Sequence, residues 1–141
     1  ARAFMDEDLA DEGLMVAGKT KIEPEHLAHG IEIARESARL DVGQGVVVSQ
    51  GTALAIEAFE GTNVMLARAG AFGAKDTLFV KTGKTKQDNR FDVPVFGLQT
   101  LQAMSDANLS AAALEAGAVL LLDKPAVLAQ AKKLGICLTG F

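Results

Sequence analysis

The densest run of reactive side chains in the chain is "KTGKTKQDNRFDVP", Lys81 to Pro94. If residues 88–92 are extended, Asp88, Arg90 and Asp92 share one face and Asn89, Phe91 and Val93 share the other, because side chains alternate across a strand. Phe91 and Val93 then anchor the segment and an acid-base-acid row faces solvent. Lys81, Lys84 and Lys86 lie just upstream. Carboxylates beside cations suit a metal-assisted phosphate reaction, in which acids hold Mg²⁺ and Lys or Arg takes the phosphate oxygens. The same composition describes a solvated loop with local ion pairs, and spacing alone favours that reading. Pro94 cannot donate to a ladder, so the segment belongs at an edge or a strand start.

A second cluster is "EAFEGTN". Glu57 and Glu60 close a strand, and Gly61-Thr62 opens a helix whose free N–H groups can hold an anion. A helix cap with exposed acids fits the same letters. His26 and His29 stand three apart on a helix, and with no third ligand nearby they read as part of a solvated face. Cys137, in a terminal apolar run, reads as core. "GLMVAGKT", Gly13 to Thr20, matches G-x-x-x-x-G-K-[ST], but a working P-loop follows a buried strand and leads straight into a helix. Here the acidic "MDEDLADE" precedes it, and Pro24 would fall inside the required helix at a cost of about 3 kcal/mol. Leu14, Met15, Val16 and Ala17 call for burial, not for a loop around an anion. Val119 to Asp123 is an ordinary apolar strand end and does not rescue the motif.

These residues must be placed by a chain of 141 residues, enough for one domain with a real core. Apolar residues make up 49% and charged residues 23%, the balance of a globular protein. A net charge of −4, the absence of a basic run, and the lack of Tyr and Trp argue against a nucleic-acid partner. A single cysteine and no signal peptide point to a reducing compartment. The longest apolar run, Ala116 to Leu122, is too short to be a transmembrane segment. The first residue is Ala, so the chain reads as a processed or truncated piece of something longer.

Residues 1–12 carry five acids and read as a loosely held arm. Leu27, Ile31, Ala34 and Ala38 recur at helical spacing after Pro24, which predicts a helix over 24–40. Runs on either side of Gln50-Gly51 predict a hairpin, 46–50 and 52–59. A helix from Thr62 to about Ala71, a strand from Thr77 to Lys81 and a helix over 98–107 follow. Strands at 111–115 and 118–122, a helix over 125–134 and a strand from Ile136 to Thr139 complete the reading. The fold expected is α/β, a mixed β-sheet with flanking helices in a single compact domain. Its main body runs from 43 to 141, after an arm, linker and helix in 1–42.

Two of these stretches carry a family likeness. Ala55 to Thr62, "AIEAFEGT", and Gln87 to Gly97, "QDNRFDVPVFG", resemble the VEAxEGT and QDxRFDxP signatures of LpxI-type UDP-2,3-diacylglucosamine pyrophosphatases. "LDVGQGVVV" at 40–48, Phe79 to Lys84, and "EAGAVLLLD" at 115–123 extend the likeness over essentially the whole chain. Asn63 stands where the family usually has Asp, and Thr85 where it often has Pro. If the acid at 63 helps to bind metal in the family, this chain binds it less well.

The resemblance implies an enzyme of lipid A biosynthesis in the Gram-negative cytoplasm. Such enzymes split UDP-2,3-diacylglucosamine into 2,3-diacylglucosamine 1-phosphate and UMP with Mg²⁺, water attacking the phosphorus attached to the sugar. It also implies two domains with substrate between them, of which this chain matches the linker and the C-terminal one. The missing N-terminal domain is then a partner, and a lipid substrate suggests peripheral contact with the inner membrane. A domain that exposes a cleft face often associates, so a homo-oligomer is an open expectation. Carried over by residue, Asp88 is the leading catalytic or metal-binding acid, with Asp92 beside it. Glu57 and Glu60 support the metal, and Gly61 and Thr62 contact phosphate. Lys81, Lys84, Gln87 and Arg90 contact the pyrophosphate. The rival class is a non-catalytic module that binds a nucleotide sugar or lipid.

Overall fold

The computed structural model describes residues 8–83 and 93–141. Strand β1 (Gly13–Val16) leads through an irregular stretch to helix α1 (Pro24–Arg39). The hairpin of β2 (Gly45–Ser49) and β3 (Thr52–Ile56) precedes α2 (Thr62–Gly70) and β4 (Thr77–Lys81). After the next described residues come β5 (Val95–Phe96), α3 (Leu98–Asp106), β6 (Ala111–Leu114) and β7 (Leu120–Leu121). Helix α4 (Lys124–Leu134) and β8 (Cys137–Gly140) end the chain. The main sheet has six strands in the order β1-β8-β6-β4-β2-β3, and β5 pairs with β7 in a separate two-stranded sheet. Strands β4, β6 and β8 are parallel, while β1, β2 and β3 join by antiparallel pairing. The sheet is therefore mixed, as expected.

Local chemistry explains the pieces. Gln50 and Gly51, the two residues between β2 and β3, have φ of 48° and 82°, the doubly left-handed geometry of a type I′ hairpin turn. Alternation along the strands then feeds two cores. Val46, Val48, Leu78, Val80, Ala111 and Ala113 face α1, whose Ala34 packs among them. Val47, Phe79, Ala112, Leu114 and Leu138 face the opposite layer, which includes Met65 and Leu66 of α2, Leu101 and Met104 of α3, and Val127 and Ala131 of α4. Helix α1 rides low over the sheet because Gly30 leaves room: a Cβ there would lie 2.7 Å from Val80 Cγ2.

Three expectations need correcting. Residues 8–12, read as part of a loose arm, are held. Leu9 and Ala10 are buried, Ala10 N–H donates to Val119 O at 2.8 Å, and Lys124 Nζ reaches Leu9 O at 2.8 Å and Asp11 Oδ2 at 2.9 Å. Gly13–Val16 is an edge strand on β8, and of its apolar residues Leu14 stays 66% exposed. Leu120–Leu121 alone forms the strand expected over 118–122, and it pairs with β5 away from the main sheet. The P-loop exclusion stands on geometry. Gly18 lies so close to the start of β8 that a Cβ would be 2.4 Å from Cys137 N, and α1 begins only at Pro24. That stretch runs along the sheet instead of wrapping an anion.

Candidate functional site

The carboxyl ends of parallel strands collect ligands in open α/β sheets, because helix N-termini and loops converge there. In this chain that edge carries Lys81, at the end of β4, beside Leu114 of β6 and Gly45 of β2. Lys81 is buried, 7% exposed, and follows Phe79 onto the α2 face of the sheet. Its Nζ donates to Thr62 Oγ1 at 3.2 Å, and the Thr62 hydroxyl donates to Glu57 Oε1 at 3.0 Å. A directed chain of hydrogen bonds thus joins an ammonium, a hydroxyl at the first turn of α2 and a carboxylate. Burial pulls the Lys81 pKa below the ordinary lysine value, and the Glu57 charge pulls it partly back.

Glu57 has a prepared seat. Its N–H donates to Gly45 O at 2.8 Å, a Cβ on Gly45 would lie 2.8 Å from its Oε1, and one on Gly43 only 1.8 Å from its carbonyl oxygen. Two glycines therefore make the space that the glutamate occupies. Gly61, with φ of 90°, turns the chain into α2 in a conformation that favours glycine. Glu60 faces elsewhere: Arg68 holds it in an ion pair, with Nε donating at 3.0 Å, and Arg68 Nη2 also reaches Ile56 O at 3.3 Å. The hydrogen bond from Arg68 lowers the Glu60 pKa. Phe59, in the loop between Glu57 and Glu60, is fully exposed, and Val64 of α2 is 57% exposed.

One further carboxylate organises this edge. Glu115, just past β6, accepts from Gly83 N–H at 2.8 Å, while its own N–H donates to Lys81 O at 3.0 Å. A Cβ on Gly83 would lie 2.8 Å from Ala118 Cβ, so glycine is needed where the chain leaves β4. Pro94, which precedes β5, accepts from Leu120 N–H at 2.9 Å.

The structure brings together Glu57, Gly61, Thr62 and Lys81, and it turns Glu60 toward Arg68. Lys84, Gln87, Asp88, Arg90 and Asp92 lie outside the described residues. Asn63 borders a groove between α2 and α3 with Ala103 and Asn108. His26 and His29 sit on α1, across the sheet, with His26 Nε2 and His29 Nδ1 buried and without a hydrogen-bond partner. A cavity of about 320 Å³ beside His26 opens at Thr77 and Ala111, the opposite end of the parallel strands from Lys81. Among the described residues no three His, Cys, Asp or Glu side chains come together. Arg68 had no place in the sequence reading, and Gly43 and Gly45 entered it only inside "LDVGQGVVV", with no link to Glu57. For Glu115 the only signal was its position inside "EAGAVLLLD".

The family model of the LpxI C-terminal domain matches residues 11–139. The chain belongs to the LpxI family. It is also 38% identical, over 134 residues, to the UDP-2,3-diacylglucosamine pyrophosphatase LpxI of Caulobacter vibrioides. That alignment covers 87% of this chain and 48% of the relative, so the chain spans about half the length of the curated relative it matches. The match to the LpxI C-terminal domain takes in β1, α1 and nearly all of the sheet. No helix among the described residues is long and apolar enough to cross a membrane.

Proposed function

We propose that the protein containing this chain hydrolyses the pyrophosphate of UDP-2,3-diacylglucosamine, giving UMP and 2,3-diacylglucosamine 1-phosphate, as a step of lipid A biosynthesis. The observation that carries the proposal is the buried Lys81, hydrogen-bonded to Thr62 at 3.2 Å at the carboxyl edge of the sheet. An ammonium in a water-poor position, beside the free N–H groups at the start of α2, offers fixed positive charge to a phosphate group. Such groups stabilise charge that builds up on phosphate oxygens and need no reorganisation to do so. The exposed Phe59, in the loop between Glu57 and Glu60, suits a ligand that joins an anionic centre to a fatty body. Cytoplasmic location, peripheral contact with the inner membrane, a homo-oligomer and a second domain closing over this edge belong to the same proposal.

Mg²⁺ is part of the proposal only through the resemblance. Among the described residues no three acidic side chains come together, Arg68 pairs with Glu60, and Thr62 donates to one oxygen of Glu57. Asp88 and Asp92 remain the proposed acids, and Lys84, Gln87 and Arg90 the proposed pyrophosphate contacts. The test is turnover of UDP-2,3-diacylglucosamine by the full-length protein in ¹⁸O water, followed by mass spectrometry. The expected result is UMP without label and lipid phosphate with it. Asp88→Asn should lower turnover at least about a hundredfold while the melting temperature holds. Failure of the wild-type protein to release UMP would sink the reading. The non-catalytic alternative is favoured for the isolated chain, which holds only half the length of its relative. It predicts nucleotide-sugar binding without turnover by this fragment.

A further inference from the structure

We infer that Glu57 is a positioning residue, which holds the Thr62 hydroxyl and the Lys81 ammonium in line toward an anion and does not ligate a metal. The inference deepens the reading of this edge as a pyrophosphate site and rests on it.

The geometry gives Glu57 a different task from the metal-binding one that the resemblance suggests. Its Oε1 is already the acceptor of the Thr62 hydroxyl at 3.0 Å. With that proton spent on Glu57, the Thr62 oxygen presents a lone pair to Lys81, which donates at 3.2 Å. The order of donors and acceptors therefore has one polarity, running from ammonium to hydroxyl to carboxylate. A lysine ammonium has three donors, and Thr62 takes one, which leaves donors for an anion. A dication at Glu57 would sit beside that ammonium with only one carboxylate between them, and repulsion at such range is strong near a protein interior.

The seat of Glu57 supports the same role. Gly45 and Gly43 admit its carboxylate and its backbone where any Cβ would collide, at 2.8 Å and 1.8 Å. A Cβ on Gly45 would also lie 3.1 Å from the Phe79 ring, so this glycine separates the carboxylate from the packed core. The close glycines leave a seat sized for a carboxylate held by one hydroxyl, whereas a metal ligand needs room for the ion and its waters. Glu60, the neighbouring acid, is engaged by Arg68 and does not complete a donor set. What remains for Glu57 is to set a negative charge behind the Thr62 hydroxyl, facing the buried Lys81 ammonium.

The experiment is a double-mutant cycle in the full-length protein, using Glu57→Gln, Lys81→Met and both together. Turnover of UDP-2,3-diacylglucosamine is measured across Mg²⁺ concentrations, and UMP binding is measured by calorimetry in EDTA. Each single substitution should lower kcat at least about tenfold, and the double variant should be no worse than the worse single one. The Mg²⁺ concentration for half-maximal rate should stay within about twofold in Glu57→Gln. In EDTA, UMP affinity should fall in Lys81→Met, and Glu57→Gln should then change nothing further. Thr62→Ser should retain wild-type behaviour and Thr62→Val should resemble Glu57→Gln, with melting curves confirming that each variant is folded. Additive losses with a raised Mg²⁺ requirement would overturn the proposal, as would UMP affinity indifferent to Lys81→Met. If the wild-type protein does not turn over the lipid but the UMP cycle is non-additive, the proposed reaction falls and the positioning role stands.

Discussion

Lys81 is under two opposed demands, because a charge useful to a phosphate is a charge that burial disfavours. Burial lowers its pKa from the ordinary 10.5, and Glu57 only partly offsets that shift. For a group with a lowered folded pKa, the unfolded chain binds more protons between the two values, so stability rises with pH through that window. Below the lowered value the full penalty is present, and above 10.5 it is gone. Lys81→Met removes the penalty and keeps the apolar stem. It should raise the melting temperature near neutral pH, by a few degrees for each ~1 kcal/mol gained. The gain should shrink as pH approaches the unfolded value. Thermal melts of both proteins over that range test this, and a less stable variant at neutral pH would refute it.

At the scale of elements, the loop between β3 and α2 is a stapled object. Arg68, a turn and a half into α2, ties back to Glu60 and to the Ile56 carbonyl, while Thr62 ties to Glu57. If Glu60 works by holding this loop, Glu60→Ala and Arg68→Ala should lower kcat to a similar extent, and the double variant should fall no lower. A Glu60 that ligates a metal would instead give a much larger loss in Glu60→Ala than in Arg68→Ala. Steady-state rates for the three variants decide it. The boundaries of α1, α2, α3 and β4 are legible in the sequence because apolar period, Pro24 and the glycine turns all agree there. Strand β1 is not legible. It is a four-residue edge with Leu14 exposed, and its pairing depends on β8, which lies at the far end of the sequence. The short β7 is hidden for a related reason: the run from Val119 to Leu122 is evenly apolar, while only Leu120 and Leu121 find a partner in β5.

For the whole molecule, what could be read of the site followed the same division. Lys81, Thr62 and Glu57 are visible as residue types that can act on phosphate. Gly43 and Gly45 act by lacking a Cβ, and Glu115 acts across the register of two strands, so neither contribution shows until the sheet is assembled. The sheet also decides how each part of the site can move. Lys81 ends β4, which is flanked by β2 and β6 and packed on both faces, whereas Glu57, Gly61 and Thr62 belong to a loop and a helix start held by a few side-chain bonds. Amides that open only when the whole domain unfolds exchange with solvent at the slowest rate, and those in a stapled loop open far more often. Leu78 to Val80 should therefore exchange over the longest times, and nucleotide binding should leave their rates almost unchanged. Residues 57–62 should exchange orders of magnitude faster and slow markedly when UMP is added. Mass-resolved hydrogen exchange with and without UMP measures both. A slowing confined to β4 would mean that the lysine adapts to the loop. The fold predicts the reverse, with one immobile charge against which the rest of the site closes.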